Sequence, residues 1–222
     1  MTPNKEDYLK ELYKLGGSEH LINNKQLSQA LKIAPASVSE MLTKLSQEAL
    51  LVTEPYKGAK LTKEGIEIAV SLLRGHRLWE VFLIRHLGYS WSEAHEDAEL
   101  LEHVSPVRLT NRLEGFLNYP EYCPHGNAIP NQMGQIKEGA LTLLSTLTAG
   151  KTAIIKKVQE EKELLDYLQT QGIEIGSQIT VLSVDDYEGP FTLTLGDKKI
   201  RISYKAACQI YVAARSETKN KE

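Results

Sequence analysis

The order of helical and extended patterns in the first 62 residues constrains the fold of this chain more than any other feature. Apolar residues at helical spacing predict a first helix over residues 5–16 and a second over residues 25–32, with Asn24 as the N-cap of the second. A turn then leads into a third helix over residues 36–50, and two β-prone runs flank residues 55–58 as a hairpin. This order predicts the winged form of the helix-turn-helix.

The third helix and the hairpin carry the side chains expected of a DNA-binding surface. Small and hydroxylic residues at the start of that helix can approach phosphates and thymine methyl groups closely, and lysines supply phosphate contacts. The candidate DNA-binding residues are Pro35, Ala36, Ser37, Ser39, Lys44, Lys57 and Lys60. The alternative is an ordinary three-helix bundle with scattered surface lysines. The basic hairpin tip at the correct distance favours double-stranded DNA as a partner.

The middle of the chain is rich in residues that bind transition metals. Five of the six histidines fall between residues 76 and 125, among glutamates and one cysteine. Residues 76–147 carry five basic and nine acidic side chains, a net charge of −4, whereas residues 1–75 have a net charge of +1. An acidic, histidine-rich segment binds nucleic acid poorly and attracts cations, so a metal site is expected here.

Helical spacing gathers these ligand-type residues on two faces. A long helix over residues 63–87 places His76 and Glu80 one turn apart. A second helix, capped by Ser92, places four more on one arc about 100° wide. These four are His95, Glu99, Glu102 and His103. Two such faces can build a metal site between helices, and stacked carboxylates without a cation would be costly. The alternative is solvent-exposed salt bridging.

Three further residues have two possible roles each. Asp7 is either a helix-start residue that interacts with the helix dipole or a ligand that ties the head to the acidic cluster. Cys123 and His125 form a Cys-x-His pair on a proline-stiffened loop, which predicts a softer second site with Glu80 and an acidic residue of the last domain. The alternative is a buried cysteine beside a surface histidine. Cys208 is expected in the core of a strand.

The last third of the chain predicts a small β-domain. A short acidic helix over residues 158–169 precedes β-prone runs at 177–184, 191–196 and 199–213, which suggest a small barrel. Three domains are therefore expected, over residues 1–73, 74–147 and 148–216, with a disordered tail at 217–222. No apolar run reaches the ~20 residues that span a bilayer. We expect no interaction with a membrane, and cytoplasmic residence is the default because the first residues lack an apolar signal region.

Several segments carry a resemblance to a known family. They are EDYLKELYKL, LSQALKIAPASVSEMLTKL and YKGAKLTKEG in the head, followed by GHRLWEVFL and EDAELLEHVSP. Over essentially the whole chain the sequence resembles the diphtheria-toxin-repressor and manganese-transport-regulator family, most closely its streptococcal manganese-dependent repressors. The resemblance implies a mainly α homodimer with a winged helix-turn-helix, a helical metal-binding and dimerisation domain, and a C-terminal SH3-like barrel of the FeoA type.

The resemblance also assigns metal ligands. Asp7, Glu99, Glu102 and His103 match the effector-metal site, and His76, Glu80 and His95 match a second or neighbouring site. A barrel residue is a ligand in some relatives, and Glu160 or Glu163 is the candidate here. Lys10 stands where some manganese regulators have a glutamate, so a two-metal cluster of their kind is not expected. Cys123 and His125, which iron-sensing relatives lack, are expected to rebuild the second site.

Together these patterns predict a metal-dependent repressor of metal-uptake genes that binds operator DNA. Hard oxygen ligands with one imidazole suit Mn²⁺, so we expect Mn²⁺ at two or more sites per chain, with Fe²⁺, Zn²⁺ or Cd²⁺ as possible substitutes. The alternatives are an iron- or zinc-responsive regulator of the same fold, a DNA-binding protein with a structural metal, or a carboxylate-rich metalloenzyme. The chain has no evident nucleophile or phosphate loop, which argues against an enzyme.

Overall fold

The structure, a computed structural model, describes residues 1–136 and 139–214. The chain divides into two compact units, and each unit is assembled from three separate stretches of the sequence. The first comprises Met1–Trp79, Ala98–Tyr119 and Ile129–Ile136, and the second comprises Glu80–Asp97, Pro120–Ala128 and Lys137–Glu222. The domain boundaries expected after residues 73 and 147 differ from this division and stay predictions. The expected tail at 217–222 lies outside the described residues.

The first unit begins with three helices and a hairpin in the predicted order. The elements are α1 (Pro3–Lys14), α2 (Asn24–Leu31), α3 (Pro35–Gln47), β1 (Leu51–Glu54) and β2 (Gly58–Leu61). Asn24 was the predicted cap of α2, but the cap is Asn23. Its side chain accepts a hydrogen bond from the backbone N–H of Gln26, and the Gln26 side chain accepts one from the backbone N–H of Asn23. This reciprocal capping box satisfies two free donors, which explains why the helix starts one residue earlier.

The core of the head is made by one apolar face from each of these elements. Leu9 and Leu12 of α1, Leu27 of α2 and Leu45 of α3 are fully buried together. The hairpin strands pair antiparallel, with Leu51 opposite Leu61. This shared core fixes α1 and α3 relative to each other, because close-packed side chains transmit small shifts between helices.

Two helices and a short turn supply most of the ligand-type residues. They are α4 (Lys63–Leu87), α5 (Trp91–Leu101), a 3₁₀ turn (Glu102–Val104) and then α6 (Val107–Phe116). Ser92 was the predicted cap of α5, but Ser90 caps it. The hydroxyl of Ser90 accepts a hydrogen bond from the backbone N–H of Glu93, and the hydroxyl and backbone N–H of Ser90 both donate to the Glu93 carboxylate. The predicted helix over 93–104 also ends early. Ser105 precedes Pro106 and has an extended backbone, so the α-helix cannot continue through it. The last turn, Glu102–Val104, is therefore a tighter 3₁₀ turn, and Glu102 does not lie on the face predicted for a continuous α-helix.

The second unit is built around a β-sheet. Its elements after residue 139 are β3 (Thr142–Leu143), a 3₁₀ turn (Leu144–Thr146), β4 (Thr152–Val158), α7 (Lys162–Thr170), β5 (Gln178–Val184), β6 (Phe191–Leu195), β7 (Lys198–Ile202), α8 (Tyr204–Ala207) and β8 (Ile210–Ala214). Within the described residues six strands form one sheet in the order β3-β8-β4-β5-β6-β7, with each described pair antiparallel. Ile155, Leu165, Phe191 and Ile210 lie in its core.

Three predictions for this region were wrong. The acidic helix starts at Lys162, because residues up to Val158 belong to β4. This strand was missed, since a bulge between Ile155 and Lys157 interrupts the alternation of buried and exposed residues. The run 199–213 is two strands separated by α8, whose N-cap Ser203 accepts a hydrogen bond from the backbone N–H of Ala206. Cys208 therefore follows a short helix and is only half-buried.

The helices differ in polarity from membrane spans. In residues 1–136 and 139–214, every helix is either too short or too polar to cross a lipid bilayer. The longest, α4, has charged and polar side chains on several turns, among them Glu67, Arg74 and Glu80.

Candidate metal centres and nucleic-acid interface

The first candidate metal centre lies in the first unit and joins α1 to the residues around α5. Asp7 comes from α1, His76 from α4 and Glu99 from α5, and the 3₁₀ turn supplies Glu102 and His103. The ligand-type atoms form two overlapping groups, and in each group all atoms lie within 4.8 Å of one another. One group is Asp7, Glu102 and His103, and the other is His76, Glu99 and Glu102.

Glu102 is the centre of this cluster. Its side chain is fully buried, and its Oε2 atom lies 2.8 Å from Nδ1 of His76. Its Oε1 atom faces Nε2 of His103 at 3.7 Å, and that nitrogen lies 3.1 Å from Oδ1 of Asp7. A buried carboxylate between two imidazoles and a second carboxylate is a ligand set that divalent transition metals accept. We refer to these five residues, Asp7, His76, Glu99, Glu102 and His103, as the first cluster.

A lysine also lies within the first cluster. Nζ of Lys10 is 2.6 Å from Oε1 of Glu102 and 2.8 Å from Oε2 of Glu99, and Lys10 is only 4% exposed. Although burial lowers the pKa of Lys10, the two carboxylates raise it above its ordinary value. Burial raises the pKa of Glu99, but Lys10 and His76 together outweigh burial and lower that pKa to about 2. The two side chains therefore form a charged pair at neutral pH.

The carboxylates on α1 complete the surroundings of His103. Burial raises the pKa of Asp7, although His103 and Lys10 act in the opposite direction. Glu6 was not among the predicted site residues. Its Oε2 atom lies 2.6 Å from Nδ1 of His103. Glu6, Asp7 and Lys10 share a face of α1 because residues three and four apart are neighbours on a helix. That spacing was the sequence signal that could have identified Glu6.

The second candidate metal centre lies in the second unit. Single ligand atoms of Glu80, Cys123, His125 and Glu160 all lie within 4.8 Å of one another. Glu80, Cys123 and His125 are buried and Glu160 is half-buried, whereas the alternative residue Glu163 is exposed. We refer to these four residues as the second cluster. Two carboxylates, an imidazole and a thiol make a softer donor set than that of the first cluster.

The loop geometry explains why Cys123 and His125 meet. The backbone N–H of Gly126 donates to the carbonyl of Cys123, and that of Val158 in β4 donates to the carbonyl of His125. Gly126 has φ +84°, and a Cβ atom there would lie 1.9 Å from the carbonyl oxygen of Lys156. Only glycine allows this close approach in this backbone conformation. Asn127 then donates to Glu160 at 2.6 Å, which positions that carboxylate.

The electrostatics of the second cluster fit a bound cation. Burial, with the charge of Glu80, raises the pKa of the Cys123 thiol to about 11. Burial lowers the pKa of His125, but Glu80 and Cys123 together outweigh burial and hold that pKa well above 6.5. Nε2 of His125 is buried and has no hydrogen-bond partner among the described residues. Such an atom is costly to bury without a partner, and a metal ion would provide one.

His95 contacts the second cluster through Glu80. Its Nδ1 atom lies 3.1 Å from Oε1 of Glu80, the oxygen that also lies 3.0 Å from Nδ1 of His125. The His125 and Trp91 rings pack perpendicular to each other, with 5.5 Å between ring centroids. These contacts fix the orientation of the histidine and carboxylate, as partners of metal ligands commonly do.

The candidate nucleic-acid interface is an exposed surface of the first unit. Pro35, Ala36, Ser37, Ser39 and Lys44 are all exposed on α3. The hydroxyl of Ser39 donates to the carbonyl of Pro35 and accepts from the Asn24 side chain at 2.7 Å, so its position is fixed. Lys44 pairs with Glu40 on the same helix. Exposed pairs of this kind contribute little to stability, so the lysine can exchange its partner for a phosphate.

The hairpin forms the other wall of a groove beside α3. Lys57 is exposed at the turn and pairs with Glu54, whereas Lys60 in β2 is half-buried. Tyr56, at the tip of the hairpin, is fully exposed with a positive φ of 63°. An exposed tyrosine in that conformation is unusual, and it lines the groove together with Asn23 and Thr43. The sequence reasoning missed Tyr56, although its position between Pro55 and Lys57 at the turn was visible.

Three family models match the chain. The N-terminal DNA binding domain of iron dependent repressors matches residues 1–59, and the metal binding and dimerisation domain of iron dependent repressors matches residues 62–131. The FeoA domain matches residues 142–214. These matches and the observed architecture confirm the predicted fold class, a mainly α chain with a winged helix-turn-helix, a helical metal-binding domain and a small SH3-like β-domain.

Individual proteins show the same likeness over most of the chain. The structure of the manganese regulator SloR is 40% identical, covers 97% of this chain and 100% of its own, and superposes with a TM-score of 0.78. The structure of ScaR with bound Cd²⁺ is 38% identical, with coverages of 95% and 99% and a TM-score of 0.79. The iron-dependent repressor IdeR of Mycobacterium leprae is 26% identical over 79% of this chain and 82% of its own.

Proposed function

We infer the effector of this chain from its membership of the iron-dependent repressor family, the family of the diphtheria-toxin repressor and the manganese-transport regulators. As a member it is a metal-dependent, DNA-binding transcriptional repressor and not a metalloenzyme. We propose that Mn²⁺ is the effector and that the regulated genes encode metal-ion uptake. The observation that carries the proposal is the first cluster, in which Asp7 of the DNA-binding head meets Glu102 and His103.

The donor atoms of the first cluster support Mn²⁺ over softer metals. Asp7, Glu99 and Glu102 offer carboxylate oxygens and His76 and His103 offer imidazoles, and the cluster contains no sulfur. Hard oxygen ligands suit Mn²⁺, whereas thiolates favour Zn²⁺, Cd²⁺ and Fe–S clusters. The manganese regulator SloR, 40% identical, supports the same assignment. A bound divalent ion would supply positive charge that compensates the buried carboxylates.

We assign the second cluster as a second metal site. Glu80, Cys123, His125 and Glu160 would hold the ion, and His95 would keep the Glu80 carboxylate in place. The buried Nε2 of His125 supports this assignment. The thiolate makes this the site where Zn²⁺ or Cd²⁺ substitutes most readily. ScaR, which is 38% identical to this chain, has a structure with bound Cd²⁺. Each chain would thus bind two ions or more.

The proposed mechanism couples the first cluster to DNA binding. Asp7 lies one residue from Tyr8, and Tyr8, Leu9 and Leu12 share a core with Val38 and Leu42 of α3. A ligand bound between Asp7 and the 3₁₀ turn therefore restrains α1 and, through this core, the helix that reads DNA. The difference in DNA affinity with and without metal is the coupling free energy between the two sites.

The DNA partner we propose is an operator bound by a homodimer. Pro35, Ala36, Ser37 and Ser39 would contact base edges and phosphates, and Lys44, Lys57 and Lys60 would contact phosphates. The first unit exposes large apolar side chains on and between α5 and α6, which suit a contact between two copies. They are Leu100, Val104, Val107 and Leu109. Two copies would present two α3 helices to successive turns of the duplex.

The test is metal-dependent selection of DNA. Wild-type protein is incubated with a random-sequence pool in saturating Mn²⁺, and the selected DNA is then titrated with Mn²⁺, anaerobic Fe²⁺ and Zn²⁺. We expect reversible, metal-dependent binding that Mn²⁺ activates at its cellular concentrations. Asp7→Asn should weaken the metal dependence, whereas Asp197→Asn in the β6–β7 turn serves as the matched control.

The outcomes separate the alternatives. Activation by Fe²⁺ or Zn²⁺ but not by Mn²⁺ would make the chain an iron- or zinc-responsive regulator. Loss of the folded state on metal removal, measured by circular dichroism, would make the metal structural. DNA binding that is unaffected by metal and by Asp7→Asn would refute the proposed effector site.

A further inference from the structure

Lys10 lies where a cation is needed, although it is not a metal ligand. Its ammonium group contacts Glu99 and Glu102, and it is almost completely buried within the first cluster. Lysine is rarely buried unless it is paired, and both of its partners here are carboxylates that the proposed function assigns to the metal. The protein therefore carries its own positive charge within the effector site.

The atoms involved show that the lysine and a metal ion need the same oxygen. Nζ of Lys10 lies 2.6 Å from Oε1 of Glu102. This is also the oxygen that faces Nε2 of His103 at 3.7 Å, on the side of Asp7. The other oxygen of Glu102 is 2.8 Å from His76. An ion bound by Asp7, Glu102 and His103 must either share Oε1 of Glu102 with the Lys10 ammonium or displace the ammonium from it.

The charges of the cluster give the direction of the effect. Asp7, Glu99 and Glu102 are the three carboxylates of the two ligand groups, and Glu6 contacts the other nitrogen of His103 and belongs to neither group. Lys10 neutralises part of this negative charge before any metal arrives. A positive charge a few ångströms from a divalent ion repels it, and in a buried site the repulsion is screened only weakly.

We propose that Lys10 is the residue that sets the metal affinity of the effector site, as an internal cation that competes with the divalent ion for Glu102. This proposal rests on the assignment of the first cluster as the effector site. In the metal-free protein Lys10 holds Glu99 and Glu102 together and avoids the cost of unpaired buried carboxylates. The same contact lowers the affinity for metal, so the repressor responds only when the concentration of free metal is high.

The experiment measures Mn²⁺ binding directly in the full chain, by equilibrium dialysis and by the electron paramagnetic resonance signal of free Mn²⁺. The background variant is Cys123→Ala, which removes the thiol of the second cluster. Lys10→Gln removes the charge, and Lys10→Arg keeps it. Lys25→Gln, at an exposed position in α2 of the same unit, is the matched control for the loss of one positive charge.

We expect Lys10→Gln to bind Mn²⁺ roughly tenfold more tightly or better, because at least one close charge repulsion is removed. Lys10→Arg should keep the affinity within a few-fold of the background, and Lys25→Gln should do the same because its charge is screened by water. This pattern, with the tight binding abolished by adding Glu102→Gln, would support the proposal.

Two results would overturn it, and they differ from failure of the proposed function. Unchanged or weaker Mn²⁺ binding by Lys10→Gln, with Glu102-dependent binding in the background variant, would show that Lys10 is not a competitor while the effector site stands. Binding in the background variant that is insensitive to Glu102→Gln would remove the effector site itself, and with it the role of Lys10.

Discussion

Glu6 and His103 form a contact that orients the imidazole of a proposed metal ligand. Nδ1 of His103 lies 2.6 Å from Oε2 of Glu6, so the other ring nitrogen, Nε2, is directed toward Asp7. A carboxylate that accepts from one imidazole nitrogen fixes the tautomer and leaves the other nitrogen free to bind a metal. The contact joins α1 to the 3₁₀ turn, as the proposed metal would.

The first prediction concerns this orienting contact. Glu6→Gln should weaken Mn²⁺ binding at the first cluster by about 10- to 100-fold, since the loss of such a partner reduces metal affinity by that range. Operator affinity at limiting Mn²⁺ should fall in parallel and recover at saturating Mn²⁺. Glu19→Gln, at a residue whose side chain is 79% exposed, is the control. An affinity equal to that of the wild type would mean that Glu6 does not orient His103.

The second prediction concerns the hairpin. Lys57→Ala should weaken binding to selected and unrelated DNA alike and should reduce the slope of log K against log salt concentration by about one. The reason is the loss of one phosphate contact, which exchanges with the exposed pair to Glu54. Lys199→Ala, in β7, is expected to leave the slope unchanged. A slope identical to that of the wild type would remove Lys57 from the interface.

The third prediction concerns the exposed apolar surface of the first unit. Val107→Asp should weaken self-association by at least about tenfold, because a charge would be buried in an apolar contact. Val107 is 61% exposed in one copy of the chain. Sedimentation equilibrium measures the effect, and Tyr187→Asp, at a fully exposed position in the second unit, is the control. A monomer–dimer equilibrium that does not change would place the dimer contact elsewhere.

The fourth prediction concerns the loop that carries Cys123 and His125. Gly126→Ala should destabilise the protein by more than the ~1–3 kcal/mol typical of a strained backbone conformation, because its Cβ also meets the Lys156 carbonyl. Metal bound at the second cluster should be lost as well. Gly172→Ala is the control, since Gly172 has φ +70° with nothing within 4 Å of the added Cβ. Equal urea-unfolding free energies for the two variants would contradict the argument.

Sequence patterns located the fold and the ligand types, but not their contacts. The apolar stripe of α1 and the basic hairpin predicted the winged head, because local periodicity alone determines which face is buried. The strand β4 was not predicted, because its bulge interrupts the alternation of buried and exposed residues and the register shift depends on the neighbouring strands. Lys10 was visible only as a departure from a family pattern. Its burial between Glu99 and Glu102 depends on the packing of α1 against the end of α5, two segments far apart in the sequence, which no local pattern reports.

The choice between Glu160 and Glu163 shows the same limit. Both are glutamates in one acidic run, and their spacing predicted nothing about which one would reach Cys123. The choice depends on where β4 ends and α7 begins. Because the helix starts at Lys162, Glu160 remains in the connection, where Asn127 binds its carboxylate, and Glu163 lies in the first helical turn.

The last prediction concerns the pH dependence of the second cluster, and its sign follows from two pKa shifts. Burial, with Glu80, raises the pKa of Cys123 to about 11, so the metal-free protein carries a thiol at neutral pH. Burial acts to lower the pKa of His125, but Glu80 and Cys123 raise it above 6.5, so part of the protein carries an imidazolium. Both protons must leave before these atoms bind a metal, so affinity should rise with pH.

We therefore expect the affinity for Cd²⁺ at the second cluster to increase by about tenfold per pH unit for each proton released between about pH 6 and pH 8. The slope should lie between about one and two, and it should decrease by about one in Cys123→Ser, whose hydroxyl keeps its proton. The thiolate-to-Cd²⁺ charge-transfer absorption follows binding directly, and calorimetry in buffers of different ionisation enthalpy counts the protons. Cys208→Ser is the control for the other thiol and should leave the slope unchanged. An affinity independent of pH, with no charge-transfer band, would show that Cys123 remains a buried thiol and takes no part in metal binding.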